Sequence, residues 1–508
     1  MKIKYLLIVV LFIMSSNGYS QDTLHGAISL RHVIETTLSQ NPTIKIKELD
    51  VVTARGNYLT TYGSFDPVLG INLGYSSFYS PTYSDYELEN PIQGTSTYSV
   101  GLTKPFSWGG NLSLLLEMTK SIDTLDYSIP QNVASVSLQF ELPLLKGLGN
   151  GTSGEELSAK LNLEAERKNF LFTISQQVLN SIQSYWNYLG AIKSRDIIQR
   201  SVDEAEEFYE NSRLLNAEDS TKYTDLTTLQ ATISQKKIDL TNADHDIYTT
   251  RQTLGIAMGI DFEKIEEIPV PETQFLFEEL LVPDSAFIMS LPVNKIIDIA
   301  LEHRQDYLAS LDMITASDYL VKQAENGTLS ELDLTLNAGY SGATEGEKFG
   351  DFFRPFYKNV AGLNLGATLS YKLPFGNNTA KGNLMTASAQ YIQNKIASVE
   401  LRRQIRTSVS TQIKQFQTNY LNFLETERIV LYNAKSLEEE KEKMAKGLSN
   451  SINVDYVERN MLASRLSNVK AMQNLSLSIV KLRHELGILI NSKGEANFID
   501  LNTLNNFK

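Results

Sequence analysis

Ile71-Asn72-Leu73-Gly74-Tyr75-Ser76 returns further along the chain as Leu336-Asn337-Ala338-Gly339-Tyr340-Ser341. Both copies alternate. Leu69, Ile71, Leu73 and Tyr75 share one face; Gly70, Asn72, Gly74 and Ser76 share the other. The second copy sets Leu332, Leu334, Leu336, Ala338 and Tyr340 against Asp333, Thr335, Asn337, Gly339 and Ser341. Period-two alternation marks a strand with one wet and one apolar face. Two later runs match. Val136, Leu138, Phe140 and Leu142 lead into Leu142-Pro143-Leu144, and Leu363, Leu365, Ala367, Leu369 and Tyr371 lead into Leu373-Pro374-Phe375. Each run is about ten residues, the length a tilted strand needs to cross a bilayer. A soluble sandwich alternates equally well. The connections at 77–96 and 342–359 are long and rich in Tyr, Ser, Gly and Asp, as the loops on one side of an outer-membrane barrel are.

Four strands, at about 66–80, 133–143, 332–341 and 362–373, cannot close a barrel alone. Two chains give eight strands with a filled interior; three give twelve and leave a lumen. A pore built from this unit is therefore an oligomer. Residues 97–106 and 111–119 also alternate, around Trp108-Gly109-Gly110-Asn111. The second half has no equivalent, so this hairpin reads as an insertion; if it joins the wall, the chain supplies six strands.

Each strand group is followed by a long helical hairpin, at about 155–258 and 380–489. Leu171, Val178, Tyr185 and Ile192 are seven apart, with Ile182 and Leu189 between. Val409, Phe416, Phe423 and Val430 repeat the heptad, with Ile413 and Tyr420 between. Sustained spacing of 3.5 residues means coiled-coil packing. The first hairpin reverses at Asn216 to Lys222 and the second at Gly447 to Asn453. Leu254-Gly255-Ile256 and Leu486-Gly487-Ile488 end the two hairpins. The order implies an internal duplication, with a first repeat at 21–262 and a second at 293–490. A connector at 263–292 carries Pro269, Pro271, Pro283 and Pro292, and a polar tail runs from 491 to 508.

Residues 1–20 read as an export signal: Lys2 and Lys4, the apolar run Tyr5 to Met14, then Gly18 and Ser20. The 508 residues include no cysteine, so neither a disulfide nor an N-terminal lipid on cysteine is available. The net charge of −13 argues against nucleic acid as a partner.

Gly149-Asn150-Gly151-Thr152-Ser153-Gly154 fits GxGxxG, the pattern that brings backbone close to a pyrophosphate. Its context fails. The preceding strand alternates, whereas a buried parallel strand is nearly all apolar. The stretch reads instead as a junction, with Ser153 and Glu156 forming a capping box. His25, His32, His245, His303 and His484 show no metal-ligand spacing, and neither GxSxG nor a Walker A sequence occurs. No catalytic, cofactor or metal residue is expected.

In this layout, with its Leu-Pro strand ends, its Leu-Gly-Ile hairpin ends and the closing stretch Ser467-Asn468-Val469-Lys470, the chain resembles the TolC family of bacterial outer-membrane efflux and secretion ducts. The resemblance implies an α+β membrane protein. It would be a homotrimer, with a twelve-stranded outer-membrane β-barrel continued by a long α-helical coiled-coil tunnel in the periplasm. It also implies docking to a periplasmic adaptor and an inner-membrane transporter, with no enzymatic activity of its own. In that family carboxylates of the second hairpin line the periplasmic entrance. Asp455 and Glu458 match the pattern, and three copies would make two acidic rings. Asp225 is the matching candidate for an interhelical contact near the gate. The alternative is a secreted coiled-coil scaffold or adhesin without pore activity.

Overall fold

The computed structural model describes residues 26–79, 82–84, 87–89, 92–123, 131–218, 226–272, 275, 288–346, 349–352, 354–357 and 361–491. The expected signal peptide at 1–20, Asp225 and almost all of the tail lie outside the described residues. The helices are α1 (Leu30–Gln40), α2 (Pro42–Gly63), α3 (Asn150–Glu218), α4 (Leu226–Met258), α5 (Val293–His303), α6 (Gln305–Gly327), α7 (Asn378–Ala445) and α8 (Ser451–Glu485), besides shorter turns. The long strands are β1 (Val68–Tyr79), β2 (Ile92–Pro105), β3 (Asn111–Asp123), β4 (Gln131–Pro143), β5 (Glu331–Glu345) and β6 (Ala361–Lys372). Lengths recur in sequence order: α1 and α5 have 11 residues each, α3 and α7 have 69 and 68, α4 and α8 have 33 and 35. The chain divides into two compact units, one of Met1–Glu48, Asn169–Gln305 and Arg402–Lys508, the other of Leu49–Lys168 and Asp306–Leu401.

The second unit holds a six-stranded antiparallel sheet in the order β1-β2-β3-β4-β5-β6. The hairpin expected to be an insertion is thus β2–β3, two full members of the wall between β1 and β4. Its alternation is in phase with its neighbours, which is what admits it. Residues directly opposite in an antiparallel pair share a face. One such row runs Leu69, Leu102, Leu114, Leu138, Ala338, Leu365; the next runs Ile71, Val100, Leu116, Val136, Tyr340, Leu363. The other face carries Asn72, Ser99, Glu117, Ser135 and Ser341 in a single row. Polar side chains there bond across strands: Asn72 Nδ2 donates to Ser99 Oγ at 3.4 Å, and Asn364 Nδ2 to Ser341 Oγ at 2.8 Å.

The glycine-rich junction follows β4. Helix α3 already begins at Asn150, so Ser153 is no cap; it lies in the first turn and its hydroxyl donates to Gly149 O. Gly151 and Gly154 instead allow contact with α6. A Cβ on Gly151 would stand 2.0 Å from Asn326 Oδ1, and one on Gly154 2.7 Å from Gln323 Cβ. Asn326 accepts from Gly147 N and donates to Leu145 O, which ties the junction to that helix.

The first unit is helical. Val178, Ile182, Tyr185, Trp186 and Leu189 of α3 pack with Val33 and Ile34 of α1, Leu254 and Met258 of α4, and Leu477 and Val480 of α8. Val409, Ile413, Phe416, Tyr420 and Phe423 of α7 are buried at the expected heptad positions. At the connector, Ile28 N donates to Val270 O and Glu272 N to Ile28 O, both at 2.9 Å.

The ends of α4 and α8 close alike, but not at the two Leu-Gly-Ile strings. Gly255 lies inside α4; the residue that ends that helix is Gly259, at φ +79°. Gly487, at φ +71°, ends α8. Both make the same double closure: Ile260 N donates to Gly255 O and Gly259 N to Ile256 O, just as Ile488 N donates to Arg483 O and Gly487 N to His484 O. This is the Schellman arrangement. In backbone conformation Gly487 matches Gly259, four residues beyond Gly255. At the second reversal Gly447 (φ +73°) closes α7 as expected, and Asn450 caps α8 by accepting from Asn453 N. Asn216 does not end α3, which runs on to Glu218.

Candidate functional site

Two features could carry function, each within its own unit. The first is the sheet. Every residue of β1 is exposed, on both faces. On the apolar face Leu69, Ile71, Leu73, Leu363, Leu365 and Leu369 all exceed 60% exposure, so this face finds no cover in the chain itself. Such a patch marks a membrane or assembly surface. Aromatic residues stand at both ends of it. Tyr340 lies opposite Leu363, and Tyr371 is the same strand's residue eight places on, ~26 Å along a strand. An apolar band about 25 Å tall between aromatic girdles is the outer surface of an outer-membrane barrel. Phe106 stacks on Trp108 at 5.3 Å beside the β2–β3 turn, with Phe140 6.1 Å from the indole. No helix among the described residues is long and apolar enough to cross a membrane.

The second feature is a charge cluster near the end of the second hairpin. The spacing of Asp455 and Glu458 on α8 puts both carboxylates on one helix face. The structure turns that face inward: Asp455 is 6% exposed and Glu458 7%. Glu458 Oε1 pairs with Lys441 Nζ of α7 at 3.1 Å, and its Oε2 lies 4.0 Å from Lys236 Nζ of α4. Lys236 also donates to Ser201 of α3, to Oγ at 2.8 Å and to the carbonyl at 3.2 Å. Asp455 pairs with Arg459 one turn on. Glu204 of α3 lies 4.0 Å from Arg465. Burial pulls the Lys236 ammonium below the usual lysine range, and Arg459 adds to this; Glu458, Asp455 and Glu204 pull it back up.

The cluster thus joins four helices through Ser201, Lys236, Lys441 and Glu458. Sequence reasoning named the two acids of α8 and missed the lysines. Lys236 sits in a polar run, Gln235-Lys236-Lys237, that gives no sign of which lysine turns in. The carboxylates are paired inside this chain and present no acidic surface in it. Among the described residues no group of His, Cys, Asp or Glu could hold a metal ion.

The fold is that of the TolC-type outer-membrane channels. Among solved structures, the chain is similar to the CmeC outer membrane channel of Campylobacter jejuni. The TM-score is 0.63 with 15% identity, over 94% of this chain and 88% of that one. It is similar also to the outer membrane protein VceC of Vibrio cholerae, at TM-score 0.65 and 15% identity over 90% of this chain and 96% of that. The open state of the Neisseria gonorrhoeae MtrE outer membrane channel matches at TM-score 0.60 and 15% identity, over 90% and 89%. No family model and no curated protein matches the chain.

Proposed function

We propose that this protein is a passive exit duct in the bacterial outer membrane, the last component of a tripartite efflux or type I secretion system. It works as a homotrimer. Substrate reaches it from an inner-membrane transporter through a periplasmic adaptor, and the chain itself catalyses nothing. The carrying observation is the six-stranded sheet, with its broad apolar face, in a chain otherwise built of long paired helices.

Unpartnered helix surface supports the assembly. Leu49, Val52, Leu59 and Tyr62 on α2, and Met385, Ile392, Ile396 and Val399 on α7, are all more than half exposed. Neighbouring copies cover such stripes in a tube of helices. Asp455, Glu458 and Asp225 are the entrance residues in this reading. Glu458, paired with Lys441 and Lys236, acts by holding the hairpin ends together, Asp455 pairs along its own helix with Arg459, and opening requires the Glu458 pairs to part.

Membrane fractionation and planar-bilayer recording test the function. The expected result is extraction with outer membranes, heat-modified mobility in gels, and ion-conducting channels from the purified trimer. A soluble, elongated, non-conducting protein would instead establish the scaffold or adhesin.

A further inference from the structure

We infer that three copies join edge to edge, β6 of one to β1 of the next, and close an eighteen-stranded barrel with a water-filled, acid-lined lumen. The inference rests on the duct reading above and specifies the wall of that duct.

Three observations carry it. The first is the strand count. The β2–β3 hairpin lies within the sheet, paired along its length with β1 on one side and β4 on the other. It cannot leave the wall without breaking both ladders, so each copy contributes six strands. The second is the state of the two edges. β1 and β6 are each 12 residues long, and among their described side chains only Ser370 is less than exposed. Long unpaired edges of this kind template pairing with another chain. The third is phase. Neighbouring strands alternate in direction across six members, so β1 and β6 run opposite ways. Placing β6 of one copy beside β1 of the next continues the antiparallel order. It also aligns Leu363, Leu365 and Leu369 with the same surface as Leu69, Ile71 and Leu73. An even number of strands with matching faces closes without a flaw.

The size follows from the count. With strands ~4.8 Å apart and tilted by about 40°, eighteen strands give a backbone ring about 36 Å across, against about 24 Å for twelve. Barrels of sixteen to eighteen strands leave an aqueous channel. The polar face that would line it carries Glu117, Glu141, Asp333 and Glu345 besides Glu331, which pairs with Lys146 and Lys372. Lys372 is the one base on that face among its described side chains. The lumen therefore has an acidic field that concentrates cations.

Electron microscopy of the full-length trimer in nanodiscs is the direct test, with mass photometry to count copies. The expected image is a ring of eighteen strands about 36 Å across. A trimer whose ring measures about 24 Å, with β2–β3 outside the wall, overturns the inference and leaves the duct reading standing. So does a two-copy, twelve-stranded ring. Water-soluble particles without a ring overturn both. Cross-linking gives a second readout, since the chain has no cysteine of its own. Asn72→Cys in β1, combined in turn with cysteine at each of positions 362, 364, 366, 368, 370 and 372 of β6, should yield a covalent trimer for at least one pair. Asn72→Cys paired with Leu365→Cys, on opposite faces, should yield none. A full scan without any ladder overturns the seam.

Discussion

The Lys236 ammonium stands 4.0 Å from the Glu458 carboxylate, with both side chains less than a tenth exposed. Removing one partner of a buried pair costs about 3–5 kcal/mol, because the other charge is left without compensation. Glu458→Gln should therefore lower the stability of the helical unit by roughly that amount. Lys236→Met with Glu458→Leu should lose far less. A double-mutant cycle by thermal unfolding in detergent measures the difference. A loss in the double variant equal to the sum of the two single losses would show that the pair is not coupled.

The same cluster predicts the sign of a channel phenotype. Asp455→Asn with Glu458→Gln removes the carboxylate that ties α8 to α4 and α7, together with the acid that pairs with Arg459 along α8. Resting conductance in planar bilayers should rise. If conductance is unchanged and block by trivalent cations weakens instead, both acids face the lumen and the interhelical role is wrong.

His484 supplies a pH dependence. Burial, with Arg304 nearby, lowers its pKa from 6.5 to about 4. Its Nδ1 lies 2.8 Å from Ser175 Oγ, Phe172 packs on the ring at 5.4 Å, and the Arg304–Glu485 ion pair lies alongside. The native state holds this imidazole neutral, while the unfolded chain takes up the proton below 6.5. Stability is thus full above that pH and falls as the pH drops toward 4, by about 3 kcal/mol in all. His484→Asn keeps an acceptor for Ser175 and should flatten this limb. Melting temperatures between pH 7 and 4 provide the check, and an unchanged slope would exclude His484 as its source.

Gly487 and Gly447 share a positive φ but differ in their surroundings. A Cβ on Gly487 would lie 2.7 Å from the His303 backbone, whereas one on Gly447 would meet nothing within 4 Å. Gly447→Ala should cost only the backbone strain, about 1 kcal/mol. Gly487→Ala should cost clearly more, since backbone must move. Gly259→Ala, 2.7 Å from Asn41 Cα, should behave like Gly487→Ala. Matched melting curves rank the three.

In the barrel, Glu117 sits mid-strand between Ser99 and Ser135 on the polar face. Glu117→Gln should lower the cation preference read from reversal potentials in a salt gradient, with folding unaffected. An unchanged reversal potential would place selectivity elsewhere.

Much of this was legible in the residues. Alternation located the strands because a surface wet on one side and greasy on the other leaves a period of two. The heptads located the buried residues of α3 and α7 for the same reason. The role of β2–β3 was harder to see: alternation says that a segment is a strand, and only register says which neighbour it has. The pairing of Gly255 with Gly487 was misled by local likeness, since helix termination depends on backbone conformation and not on a Leu-Gly-Ile string. Lys236 was invisible because a lysine among polar residues carries no mark of its orientation.

The two bare margins of the sheet have a bearing on biogenesis. A lone copy in transit offers sticky borders and an oily panel to every other copy it meets. Its survival becomes a race between productive encounter and clumping. An escort that masks β1 and β6 until lipid and siblings are at hand would decide the yield.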